Sequence, residues 1–252
     1  ADRNELRDRY RQVTERIAEA AARSGRGPGD VVMVAVTKTA SPDQIRQLLE
    51  LGCMDLGENR VQQLVQRAAT TEEFIARHRM MTSPRKIEVP EAVRWHMIGH
   101  LQRNKVKTIL PLVKLIHGVD SLRLAEEIQS QAARQDCEVD VLIQVNASEE
   151  KAKYGIALPA APHLVEQMQT MFNVRVRGLM SMAAYSDDPE DARPTFQRTA
   201  EVFEEMRDSG RHGEMFNILS MGMSGDYEVA VECGANVVRI GRAVFGENHT
   251  AD

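Results

Sequence analysis

Eight short apolar runs, each parted from the next by a charged stretch, set what this chain can fold into. The first, Val31-Val32-Met33-Val34-Ala35-Val36, is continuous and rich in β-branched side chains. A strand with one wet face alternates apolar and polar residues, whereas a continuous run suits a strand covered on both faces, as in a parallel sheet. Further runs lie at Cys53 to Gly57, Val93 to Ile98, Leu115 to Val119, Val139 to Val145, Val174 to Met182, Met215 to Ser220 and Asn236 to Ile240.

The intervals carry helix signals. Ser41 reads as an N-cap with Pro42 at N1 and a helix to about Leu51. Others pass through Val61, Leu64 and Val65, and cover Leu122 to Arg134, Pro159 to Met171 and Arg193 to Ser209. Before the first strand, Leu6, Tyr10, Val13, Ile17 and Ala21 recur at three- and four-residue steps, predicting a helix that Gly25, Gly27 and Pro28 stop.

Eight strands alternating with helices in 252 residues is the arithmetic of an α/β fold, a single (β/α)8 TIM barrel. Little chain follows Ile240, so the N-terminal helix is expected to fill the last place in the outer ring. An open doubly wound sheet is the competing architecture, but no GxGxxG follows the first strand. Thr70 to Pro90 reads as an extended loop, and residues 1–252 as one domain.

Composition narrows the function. Thirty-seven acids against 32 bases give a net charge of −5, and only 4% of residues are aromatic. Neither favours nucleic acid as a partner. Cys53, Cys137 and Cys233 form no CxxC pair, so neither a disulfide framework nor a zinc site is expected. The first thirty residues are charged throughout and no apolar run has the length of a membrane span, which reads as a cytoplasmic protein without a membrane partner.

In such barrels the working residues sit at the C-terminal ends of strands. Lys38 follows six apolar residues with only Thr37 between, an amine at the mouth of an apolar pocket. Desolvation there disfavours the ammonium and frees a nucleophile for a Schiff base, although a strand-end lysine also simply snorkels to water. Gly222, Ser224 and Gly225, with Gly241 after the last strand, are placed to bind phosphate, a common use of these loops; tight turns alone would also explain the glycines. Arg239 ends the last strand and points to the same mouth. His96 and His100 have HxxxH spacing, but Met97, Ile98 and Gly99 on a strand end do not make a zinc helix.

Several motifs occur in order: Ala35-Val36-Thr37-Lys38-Thr39, Gly57-Glu58-Asn59-Arg60-Val61-Gln62 and Trp95-His96-Met97-Ile98-Gly99-His100-Leu101-Gln102-Arg103-Asn104-Lys105. Then follow Lys153-Tyr154-Gly155, Gly178-Leu179-Met180, Leu219-Ser220-Met221-Gly222-Met223-Ser224-Gly225-Asp226 and Val238-Arg239-Ile240-Gly241-Arg242-Ala243-Val244-Phe245-Gly246. From about Leu6 to Gly246 the chain resembles the pyridoxal phosphate homeostasis proteins, also called the proline synthase co-transcribed homologues, related to the N-terminal barrel of alanine racemase.

The resemblance implies a fold-type III barrel holding pyridoxal 5′-phosphate as a Schiff base on Lys38. It places Arg239 against the pyridine nitrogen, the phosphate on Ser224 and the backbone of Gly241 and Arg242, and Asn59 and His96 near the ring. It departs from the family in the length of Thr70 to Pro90, in Asn146-Ala147-Ser148-Glu149-Glu150, and in Arg242, where a small residue is usual. The function implied is vitamin B6 homeostasis: a binder that keeps the cofactor available, with apo pyridoxal phosphate enzymes as candidate recipients, working as a monomer with little or no turnover. Two alternatives stand beside it. An amino-acid racemase of the alanine racemase type needs a second base from an added domain, for which no residues remain before Asp252. A phosphate-binding isomerase would need no coloured cofactor.

Overall fold

The computed structural model describes residues 3–81, 92–148 and 154–246. Outside them lie the second half of the expected loop (82–90), Glu149 and Glu150, Lys153 of the Lys153-Tyr154-Gly155 motif, and the chain past Gly246. In order, the elements are α1 (Arg3–Arg23), β1 (Val32–Val36), α2 (Pro42–Glu50), β2 (Asp55–Glu58), α3 (Val61–Met81), β3 (Arg94–Met97), α4 (Val106–Ile109), β4 (Val113–Val119), α5 (Leu122–Arg134) and β5 (Val139–Asn146). Then come a two-residue β6 (Ile156–Ala157), α6 (Ala161–Met168), β7 (Val174–Met180), α7 (Arg193–Asp208), β8 (Ile218–Ser220), α8 (Tyr227–Glu232), β9 (Val237–Ile240) and α9 (Arg242–Phe245).

Every pairing is parallel. β1 lies between β2 and β9, the order continues through β3 and β4 on one side and β8, β7 and β5 on the other, and β4 pairs with β5 to close the ring. The stub β6 only extends β5. This is the expected eight-stranded barrel, and all eight predicted strands belong to it. The run expected from Met215 starts as a strand only at Ile218, because Phe216 N–H bonds back to Gly213 in a turn.

Burial explains the runs. The outer faces of the strands and the inner faces of the helices share one large apolar cluster, including Leu56, Trp95, Ile116, Ile143, Leu179 and Phe196. Leu115, Leu142 and Met180 form a separate small cluster. On β4 and β5, Leu115 and Leu142 share the parity of His117 and Gln144, so this second cluster belongs to the barrel interior.

Local signals hold where they were read. Ser41 Oγ accepts from Gln44 N–H while Gln44 Oε1 accepts from Ser41 N–H, a capping box at α2. Gln44 Nε2 also reaches the Phe245 carbonyl. From α1, Arg9 Nε donates to the Val244 carbonyl at 2.9 Å, so the first helix fastens the last. It packs beside α2, α8 and α9, filling the expected gap in the ring.

One expectation fails. Thr70 to Met81 is not loop but the second half of α3. Leu64, Ala68, Thr71 and Ile75 are all buried, a stripe at four-, three- and four-residue steps that continues past Thr70. Thr71 is polar, and its place in that stripe masks the period in the sequence.

Candidate functional site

The C-terminal ends of the strands open into a cavity of about 680 Å³, within the range of small-molecule sites. Its wall includes Lys38, Asn59, Ser224, Arg239, Gly241 and Arg242, drawn from the ends of β1, β2, β8 and β9. Six of the seven expected residues therefore meet at one mouth. His96 does not. It is buried inside the barrel, with Nδ1 2.9 Å from His117 Nε2 and Nε2 2.9 Å from Asp55 Oδ1. Both ring nitrogens are engaged below the cavity, so the lining role expected of His96 is replaced by one in the barrel's interior.

Lys38 lies at the cavity rim with its side chain exposed, as a strand-end lysine reaching water would be. The backbone beneath is firmly held. Arg67 of α3 donates to the carbonyls of Thr37 and Lys38, and its Nε lies 3.1 Å from Glu58 Oε1. Glu58 is fully buried and also accepts from the Thr37 hydroxyl. Burial raises the Glu58 carboxyl, opposed by Thr37 and Arg67. Arg67 and Glu58 thus brace the strand end that carries the amine; neither stands out in sequence as a site residue.

The floor is cationic. Arg239 is 3% exposed, donating from Nη1 to Ser220 Oγ at 2.6 Å and from Nη2 to the Ser181 carbonyl at 2.9 Å. Burial lowers its guanidinium to about 10, partly offset by Asp226, so it keeps its charge at neutral pH. Asp226, on the same cavity wall, is raised chiefly by burial and accepts from Met223 N–H at 2.7 Å.

On the neighbouring wall, Ser224 Oγ accepts from both Gly241 N–H and Ala243 N–H at 3.2 Å. Two backbone donors and a hydroxyl therefore converge at one spot. Gly222 shapes this loop: its φ is +96°, and an added Cβ would stand 2.7 Å from Ala230 Cβ. Across the mouth, a Cβ on Gly99 would lie 2.1 Å from the Asn59 carbonyl oxygen, a close approach that sets Asn59 at the rim.

His100 stacks on the exposed Tyr154 at 4.2 Å between ring centres, apart from buried His96. No group of three or more metal-ligating side chains occurs among the described residues. All three cysteines are free thiols, and burial pushes Cys53 up to about 12. No helix among the described residues is long and apolar enough to cross a membrane.

A family model of the alanine racemase N-terminal domain matches residues 7–249. With the closed parallel barrel, that places the protein in the class of alanine-racemase-type barrels. The pyridoxal phosphate homeostasis protein of Aquifex aeolicus is 37% identical over 240 residues, spanning 95% of this chain and 97% of that protein. The chain belongs to the pyridoxal phosphate homeostasis protein family. Among solved structures, an unknown protein from Bifidobacterium adolescentis is 33% identical, with a TM-score of 0.85 over 96% of this chain and 95% of its own. PipY of Synechococcus elongatus, solved with pyridoxal phosphate bound, is 27% identical, with a TM-score of 0.73 over 91% of this chain and 100% of its own.

Proposed function

We infer that this protein binds pyridoxal 5′-phosphate at the barrel mouth and serves to hold and supply it, not to turn over a substrate. The observation that carries this is the convergence of an amine, a buried cation and a serine hydroxyl seated on the Gly241 loop at one cavity: Lys38, Arg239 and Ser224. These match the three chemical ends of the cofactor. Lys38 would hold the aldehyde end through its amine. Ser224 and the backbone of Gly241 and Arg242 would hold the phosphate, and Arg239 the ring nitrogen, with Asn59 beside the ring. The bound cofactor supplies an electron sink. An arginine that keeps its proton cannot give the ring nitrogen one in full, which keeps that sink weak.

PipY, similar over most of this chain, is known with pyridoxal phosphate bound and supports the same ligand here. Residues 1–252 acting as one binding domain, a cytoplasmic setting, a monomeric state and delivery to apo pyridoxal phosphate enzymes complete the reading.

Equilibrium titration with pyridoxal phosphate and with unphosphorylated pyridoxal tests the phosphate half. Charge-assisted hydrogen bonds contribute roughly 1.5–3 kcal/mol each. Several together should favour the phosphorylated form by more than about a hundredfold. Equal affinity for the two aldehydes would remove the phosphate site.

A further inference from the structure

Beneath the cavity a hydrogen-bonded line crosses the barrel interior. Arg239 Nη1 lies 2.6 Å from Ser220 Oγ, and Ser220 Oγ 2.9 Å from His117 Nδ1. His117 Nε2 lies 2.9 Å from His96 Nδ1, and His96 Nε2 2.9 Å from Asp55 Oδ1. Arg94 closes the far end with two bonds to Asp55, at 2.9 and 2.6 Å. The line joins β9, β8, β4, β3 and β2, and every member but Arg94 is buried. It starts under the ligand cavity and ends at the first residues of β2 and β3, the opposite end of the barrel.

Its protons have one consistent arrangement. A guanidinium has donors only, so Ser220 Oγ accepts from Arg239; its own hydrogen is free for His117 Nδ1, and its second lone pair leaves the direction of that bond to be set from the other end. At the other end an ionised carboxylate has acceptors only, so His96 must carry its hydrogen on Nε2. A neutral His96 then accepts at Nδ1 from His117 Nε2–H, which leaves His117 Nδ1 bare to receive the Ser220 hydroxyl. The carboxylate end sets this pattern with both imidazoles neutral, and the guanidinium end is compatible with it. The reverse pattern would turn a lone pair of His96 against the carboxylate unless a second buried cation were added.

We propose that Ser220, His117, His96 and Asp55 form a one-directional hydrogen-bond line that orients Arg239 from beneath the cavity, anchored at its far end by the Asp55–Arg94 pair. Ser220 and His117 are positioning residues: they do not line the cavity, and they act through the guanidinium that does. Each bond polarises the next, so the Ser220 oxygen is a stronger acceptor than an isolated hydroxyl. Total burial also lowers His117 well below the usual imidazole range, with the Arg239 charge acting in the same direction, as a neutral member of the line requires.

The second arm of the test rests on the proposed contact of Arg239 with the cofactor; the first does not. Nitrogen-15 NMR of the histidine side chains in cofactor-free protein should show His96 and His117 neutral at pH 7, both with hydrogen on Nε2. In Asp55→Asn, His117 should lose that single tautomer. Either ring charged or bearing its hydrogen on Nδ1 in wild type, or an unaltered His117 in Asp55→Asn, would overturn the line. In the second arm, Ser220→Ala should shift the absorption band of bound pyridoxal phosphate and weaken its binding about tenfold, with Ser220→Thr restoring both. Wild-type band and affinity in Ser220→Ala would overturn the positioning role. If wild type takes up no pyridoxal phosphate at all, the functional reading fails and the tautomers alone decide the line.

Discussion

Ser224 gives the sharpest test at the scale of single residues, because its hydroxyl gathers the Gly241 and Ala243 amides where an anion would sit. Ser224→Ala should weaken pyridoxal phosphate about tenfold while leaving pyridoxal almost unchanged, as read in parallel titrations. Asp55 gives a stability test. Burial alone would raise its carboxyl, but hydrogen bonds from His96 and Arg94 outweigh that and hold it at about 2. In the unfolded chain an aspartate titrates near about 3.9. The folded value is lower, so its contribution is complete above about pH 5 and lost as pH falls through the folded value. Asp55→Asn should therefore cost about 2 kcal/mol in urea unfolding at neutral pH. The gap to wild type should close as the pH drops from about 5 toward 2; a constant gap would show that the charge contributes nothing.

Among the elements, α3 separates what the sequence shows from what it hides. Its first half was readable from Val61, Leu64 and Val65; its second half was not, because Thr71 occupies a buried position in the stripe. Ile75 is 7% exposed in that half. Ile75→Ala should cost about 2–5 kcal/mol, whereas Met80→Ala, at an 88% exposed position, should change unfolding by no more than about 0.5 kcal/mol. Similar small effects at both would return the segment to the loop first expected. The strand ends were easier to read. Lys38, Asn59, Arg239 and Gly241 each follow or close an apolar run, and barrel closure alone brings such positions together. The line under them was not readable, since Asp55, His96, His117 and Ser220 come from four strands and only register aligns them. Gly222 is a loop counterpart: with φ at +96° and a Cβ blocked by Ala230, Gly222→Ala should lose roughly 1–3 kcal/mol on thermal unfolding.

For the whole molecule, the proposed function requires that a parallel barrel with an amine on its rim and an arginine in its floor capture an aldehyde without turning over an amino acid. Incubation with L-alanine in the presence of pyridoxal phosphate, followed by chiral chromatography, should yield negligible D-alanine. Turnover near the enzyme median of about 10 s⁻¹ would make it a racemase. The central claim, capture at Lys38, has a more direct measurement. Purified protein mixed with pyridoxal phosphate should develop a yellow absorption band, and borohydride should fix the cofactor permanently. Peptide mapping should then place the reduced adduct on Lys38, and Lys38→Ala should show neither band nor adduct. An adduct mapped to another lysine, or a colourless wild-type protein, would contradict the account.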